Sequence, residues 1–576
     1  MKTHTLVILA GMLMTACSTP QNCDLIIFNA AVQTMDESCS VVEAFAVCDG
    51  RIVATGSSEE VRSSWKADQS IDLGGAIVYP GFIDAHAHLY GLGEEAMTLT
   101  LLGTRSEKEI LQLVRTRAGE MPDGTWIRGR GWDQNDWPVQ QFPNKESLDN
   151  VTTAHPVFLS RIDGHAAWVN SRALELCGIT ATTKDPAGGR ILRDAQGNPT
   201  GLLLDNAIDL LRAHIPPPSK EELRIGYENA VERCLATGMT GMHDMGMDAE
   251  DIRAVTSLIE EDRFPFRVVG YVNGRGDTWE EHLSRGRQVI GQQQLTIAGL
   301  KLYADGALGS RGAWLLEPYA DDPGNSGIPI IAGDTIAYEA RRALERGMQV
   351  CVHAIGDAAS RLVLDAYEKA LAHTESVVYP LRVEHAQVLH PDDIPRFAAL
   401  GVIPSMQPTH CTSDMYWAEA RLGADRVRRG YAWKDLIDSG ARVAGGSDFP
   451  VERPDPLPGI YAAAFRKDAQ GRPSSQEDIA AHFAVDPADP RDEDRWQDGW
   501  YGSQCMSREE AVRAFTTWAA AAAGMDSDVG SLQPGKYADF VVLSADILHV
   551  SRERFLQTRI IETWVGGSRV YQYERP

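Results

Sequence analysis

Residues 81–91 read GFIDAHAHLYG, an apolar run that ends in two histidines one residue apart, His86 and His88. Side chains at i and i+2 of a strand share a face, so both imidazoles can reach one ion. Asp84, at i−2 from His86, shares that face and is a candidate partner for orienting it. An HxH pair alone is a weak signal, because chance and core packing produce many. Further ligands have to come from elsewhere in the chain.

Seven more apolar runs have the same form: GMTGMHDM, FRVVGYV, GLKLYADG, MQVCVHAIGD, LRVEHAQV, GVIPSMQP and ARVAGGSDFP. Helical stretches alternate with them, which predicts βα units, a parallel sheet and an α/β fold. Eight such strands are the number a (β/α)8 TIM barrel needs, here over 80–525. Ionisable residues stand at the C-terminal ends of the runs, where such a barrel places its chemistry. Lys301, His353, His385 and Asp448 close or follow runs four, five, six and eight, and His86 and His88 close the first. A charged group at the end of a buried strand is costly unless something pairs with it. A shared pair of divalent cations would satisfy all six.

The stretch 94–235 is far too long for one helix and predicts an inserted subdomain over the barrel mouth. Short strand-like segments at 24–79 and 526–576 predict one composite β-sandwich built from both ends of the chain. The Asp-, Pro- and Gly-rich tract 469–504 reads as a surface loop.

The formal charge is −25, from 55 basic and 80 acidic residues. This argues against nucleic acid as a partner, since phosphate neutralisation needs basic residues in excess. Residues 1–17, MKTHTLVILAGMLMTAC, carry Lys2, an apolar stretch from Leu6 to Met14, then small residues up to Cys17. That stretch is too short to span a bilayer but fits an export signal. MTAC resembles a bacterial lipobox, with Met14 where leucine is usual. It predicts lipidation of Cys17, a tether over 18–23 and contact with the membrane through that anchor only. A plain secretory signal is the alternative. Ser18 favours the outer membrane, facing the periplasm, in a Gram-negative host. Eight cysteines remain after Cys17. They permit disulfides, with Cys39 and Cys48 placed to face each other across a hairpin, while Cys351 reads as core.

The pattern HxH, Lys, His, His, Asp resembles the amidohydrolase superfamily of metal-dependent barrel hydrolases. GRGWDQNDW, DGHAAWVNS, GGRILRDAQGNPTGLLLDNA, KLYADGALGSRGAWLLEPY, HAIGDAAS and SMQPTH look like its family 3 branch, which includes N-substituted formamide deformylase-like proteins. The resemblance implies that His86, His88 and Asp448 hold a first metal and His353 and His385 a second. It implies that Lys301 bridges them as a carbamate. Lys301 paired with Asp305 or with substrate is the alternative, since a free ammonium cannot bind a cation. One ion or two are implied, zinc first, with iron or manganese as alternatives. A water activated by such ions would attack a carbonyl, with Asp448 carrying the proton to the departing nitrogen.

Residues that could contact a small-molecule substrate are Trp132, Asp133, His165, Asp305, Arg311 and His410. Packing is the competing role for Trp132, and a hydrogen-bonded turn around Asp163 and His165 competes with a substrate role for His165. His243 reads as packing or orientation rather than ligation. The expected activity is hydrolysis of an amide-like, non-peptide C–N bond, such as that of an N-substituted formamide or N-acyl compound. Ring deamination and ester or lactone hydrolysis use the same ligand set, and a binding lipoprotein without activity is the rival from another class. The oligomeric state, monomer or homodimer, stays open.

Overall fold

The computed structural model describes residues 20–574 apart from 102, 135, 136, 140, 162–165, 187, 188, 206, 213, 375, 476, 477, 480–495 and 497. Lys2, Met14, Cys17, Asp163 and His165 lie outside the described residues, as does much of the tract 469–504.

Eight strands form the barrel: β1 (Phe82–Ala87), β2 (Met239–Met247), β3 (Arg267–Asn273), β4 (Leu295–Tyr303), β5 (Gln349–Ala354), β6 (Arg382–His385), β7 (Ile403–Met406) and β8 (Ala444–Gly445). They correspond to the eight runs in order. Every neighbouring pair from β1 to β8 is parallel. The apolar residues of these strands are buried almost without interruption, as strands covered on both faces require. The ring is drawn shut at its C-terminal end. Asp448 N–H donates to the His86 carbonyl (2.7 Å) and His88 N–H to that of Phe449 (2.9 Å). The seam thus passes through the HxH pair and the aspartate.

Helix α1 (Leu89–Met97) follows β1, and α2 (Lys220–Ala236) precedes β2. The start of α2 is fixed by a capping box, in which Ser219 and Glu222 satisfy each other's backbone N–H groups. Between these helices lies a six-stranded sheet, ordered Gly189–Arg193, Pro199–Asp205, Ala166–Val169, Val157–Arg161, Ile127–Trp132, Leu99–Thr100. Its strands fall within 99–205, and α2 contributes to the barrel core through Leu223, Tyr227 and Val231.

Both chain ends meet in one continuous eight-stranded sheet rather than two separate ones. The sheet curls, so that Arg51 on one edge forms an antiparallel bridge with Tyr537, just before strand Phe540–Leu543. Phe45 then meets Phe540 edge-on at 5.1 Å, and Phe540 stacks on Trp564. The first strand is Gln21–Gln33, and its residues Gln21 and Asn22 pair with Trp65 and Lys66. It therefore takes in the second half of the expected tether. The sheet is bolted to the barrel by Arg267 on β3, whose Nη2 donates to Asp539 (3.0 Å), both nearly fully buried.

The Cys39–Cys48 pairing does not form. Both thiols are free, and Arg513 donates to Cys39 Sγ (3.0 Å). Among the described residues, no helix is long and apolar enough to cross a membrane.

Candidate active site at the barrel mouth

His86 and His88 emerge from the end of β1, and Asp448 reaches them from the turn after β8. Asp448 Oδ1 lies 3.5 Å from His86 Nε2 and 3.3 Å from His88 Nε2. The turn is anchored by Asp84, which accepts from Ser447 Oγ (2.6 Å), Ser447 N (3.1 Å) and His86 N (3.0 Å). Asp84 thus fixes backbone rather than the imidazole ring. Burial pushes its carboxyl up to about 7. Gly446 approaches β1 so closely that a Cβ there would lie 2.6 Å from His86 N and 2.7 Å from Asp84 Oδ1. Gly446→Ala is therefore expected to destabilise the protein by about 1–3 kcal/mol and to displace Asp448. Urea unfolding together with metal affinity checks this.

Lys301, His353 and His385 complete the cluster from β4, β5 and β6. Lys301 is buried, with Nζ 3.5 Å from His86 Nε2. Burial lowers its affinity for a proton. The His86 and His385 rings are 4.7 Å apart, and those of His353 and His385 4.4 Å. Burial, then the Lys301 charge, pushes His353 down to about 3 and His86 to about 4. His385 (φ 71°), Ala386 (φ 43°) and Asp448 (φ 58°) are in the left-handed region, which non-glycine residues adopt at a cost of about 1–3 kcal/mol each. Such strain is characteristic of functional positions.

Two residues that sequence reasoning passed over hold this cluster in place. Glu384 Oε2 lies 2.6 Å from His86 Nδ1. Burial opposes ionisation of Glu384, but Arg382 outweighs it and holds the carboxyl well below its usual range. An ionised carboxylate only accepts, so the His86 proton sits on Nδ1 and the Nε2 lone pair faces Asp448 and Lys301. Arg382, fully buried, grips Glu384 through Nε (2.8 Å) and Nη2 (3.0 Å). It also donates to Ala85 O, Ser405 Oγ and His243 Nδ1. His243 is thereby engaged inside the barrel. The signal was present in RVEH, where two charges alternate on a strand too buried to leave them unpaired. Gln407 treats His385 as Glu384 treats His86: its Oε1 accepts from Nδ1 (2.8 Å), freeing Nε2.

The proposed substrate contacts divide sharply. Trp132 is fully buried in the core of the inserted sheet, against Trp137 and Trp168, with Nε1 donating to Leu159 O. It packs rather than binds. Asp133 pairs with Arg161 (2.6 Å). Asp305 is consumed by the N–H groups of Ile355, Gly356 and Trp314, which tie the loop after β4 to the end of β5. Its carboxylate is thus unavailable as a partner for Lys301. Arg311 makes a bidentate pair with Asp321 (3.0 and 2.9 Å), an internal brace rather than a substrate contact. His410 does reach the site: its Nε2 is 4.0 Å from Asp448 Oδ2. Tyr303, two residues beyond Lys301 on the same strand face, also stands at the rim, its ring 5.8 Å from that of His353. Beside Pro450, a cleft lined by Gly91, Glu94, Arg128, Arg130 and Ser160 opens between α1 and the inserted sheet.

Residues 69–571 match the amidohydrolase family. A Bacillus subtilis protein assigned to the amidohydrolases, YtcJ, is 35% identical over 551 residues, covering 94% of this chain and 98% of that one. The N-substituted formamide deformylase of Arthrobacter pascens is 28% identical over 573 residues, 96% of this chain and 98% of its own. A crystal structure of an uncharacterized metal-dependent hydrolase from Pyrococcus horikoshii has a TM-score of 0.75 at 27% identity, over 92% of this chain and 99% of that one. A match that runs from the terminal sheet through the barrel and back makes this chain a member of the amidohydrolase family, and an enzyme of the hydrolase class.

Proposed function

We propose that this enzyme hydrolyses an amide-like, non-peptide C–N bond in a small molecule, such as an N-substituted formamide or N-acyl compound, with divalent metal. The observation that carries the reading is the meeting of His86, His88 and Asp448, whose donor atoms all lie within 4.8 Å of one another. Their chemistry suits a divalent cation: two imidazoles, that of His86 with its opposite nitrogen tied down by Glu384, and an ionised carboxylate. Zinc fits this set first, with iron and manganese next. His353 and His385 would hold a second ion, and Lys301 would bridge the two only after its amine is carboxylated. Intact mass measured in bicarbonate tests the bridge. The expected gain is one CO2 on the wild type and none on Lys301→Ala.

When bound, such a cation acidifies water and polarises a carbonyl. The chain's own part is to place and protonate. Glu384 and Gln407 orient His86 and His385, and Asp84 holds the turn that carries Asp448. Asp448 takes the proton of the attacking water at Oδ2 and delivers it to the departing nitrogen.

The likeness to the Arthrobacter formamide deformylase supports the C–N assignment over the ester. A hydrolysis screen with paired 4-nitroanilides and 4-nitrophenyl esters of formic and short acyl acids tests it. Turnover of the anilides is expected, and ester turnover without any anilide turnover would contradict it.

For location, we propose export and lipid attachment at Cys17. Labelling cells with radioactive palmitate should mark the wild type and leave Cys17→Ala unlabelled and released from the membrane fraction.

A further inference from the structure

His410 lies on helix α3 (Pro408–Asp414), directly after β7, outside the six residues assigned to metal. Its Nε2 is buried and, among the described residues, has no hydrogen-bond partner. A buried polar atom left in this state costs about 1–3 kcal/mol, so a group that enters the site and bonds to it gains by doing so. With His385 and Asp448 it forms a second group of donors within 4.8 Å of one another, which by spacing alone could hold an ion. Ring orientation narrows this. The His385 and His410 rings are stacked, parallel to within 8° with centroids 6.2 Å apart. An imidazole lone pair lies in its ring plane, so two nearly parallel rings converge on one ion only where their planes coincide, and metal content per chain separates a ligand from a donor. The distance of 4.0 Å from His410 Nε2 to Asp448 Oδ2 is too long for a hydrogen bond and leaves room for a reacting group between them.

We infer that His410 is a catalytic residue whose Nε2–H donates to the carbonyl oxygen of the substrate, most strongly as that oxygen gains charge in the tetrahedral state. This rests on the reading of the site as one that hydrolyses a carbonyl compound. Asp448 then serves the attacking water on one side while His410 holds the oxygen on the other. Because the donor is preformed and buried, its contribution is greater to the transition state than to the bound ground state.

The test uses the metal-loaded full chain, as wild type, His410→Ala and His410→Gln. Three quantities are read: turnover of formyl 4-nitroanilide and 4-nitrophenyl formate, metal per chain, and the affinity for methylphosphonate, a tetrahedral oxyanion, against planar acetate. The expected result for His410→Ala is a fall in kcat of about 10²–10³-fold with unchanged metal content. Methylphosphonate should bind at least about tenfold more weakly, with acetate little affected. His410→Gln, which restores an N–H donor, should recover part of both losses. Loss of a metal equivalent in His410→Ala would overturn the inference and make His410 a ligand. Unchanged kcat and methylphosphonate affinity would also overturn it. If the wild type cleaves only the ester, the C–N assignment fails, while the phosphonate and ester measurements still decide the role of His410.

Discussion

Asp448→Asn is expected to lower kcat by about 10³–10⁴-fold while KM changes little. Asparagine keeps the size and one oxygen of the side chain but can neither carry the charge nor take the proton. In the folded protein Asp448 is ionised: burial opposes this, but hydrogen bonding from His88 and the neighbouring imidazoles hold its carboxyl well below the ordinary range. The backbone bond from Asp448 N–H to His86 O does not involve the side chain, so the barrel seam should survive the substitution. Steady-state kinetics beside a thermal melt check this. A variant that folds, binds metal and keeps more than about a tenth of wild-type kcat would contradict a proton-carrying role.

The second large effect is expected at Glu384, which touches no substrate. Glu384→Ala leaves the Arg382 guanidinium charged and unmatched in the barrel centre. Breaking one side of a buried pair typically destabilises by about 3–5 kcal/mol. It also releases His86 Nδ1, and loss of such an orienting carboxylate weakens metal binding by about 10–100-fold. The two consequences can be separated. Combining Glu384→Gln with Arg382→Met removes the stranded charge, so stability should largely return while metal affinity stays low. Urea unfolding measures the first and metal titration of the apoprotein the second. Full recovery of both in the double variant would show that Glu384 acts only as the partner of Arg382.

The barrel and its mouth were legible because each strand is written locally. A buried parallel strand is a continuous apolar run, and a polar residue at its end is conspicuous. His86, His88, Lys301, His353, His385 and Asp448 could therefore be placed at strand ends and came together at one end of the barrel. Trp132 and Asp133 show where this stops. An aromatic–acid pair looks the same whether it faces a pocket or a core, and only the neighbouring strands, distant in sequence, decide that Trp132 is enclosed. Asp305 and Arg311 failed for a related reason. Residue type marks them as ionisable, but whether backbone N–H groups and Asp321 have already claimed them depends on loop geometry. Glu384 and Arg382 were hidden because the ligand they support, His86, lies 298 residues away in sequence and because they satisfy each other. The rolled terminal sheet depends on the bridge between Arg51 and Tyr537, residues from opposite ends of the chain, which no local pattern encodes.

The account as a whole depends on metal. Wild-type protein stripped with a chelator should lose turnover of formyl 4-nitroanilide, and titration with zinc, iron or manganese should restore it in proportion to the metal bound per chain. Undiminished turnover by protein shown by elemental analysis to contain no divalent metal would contradict the account.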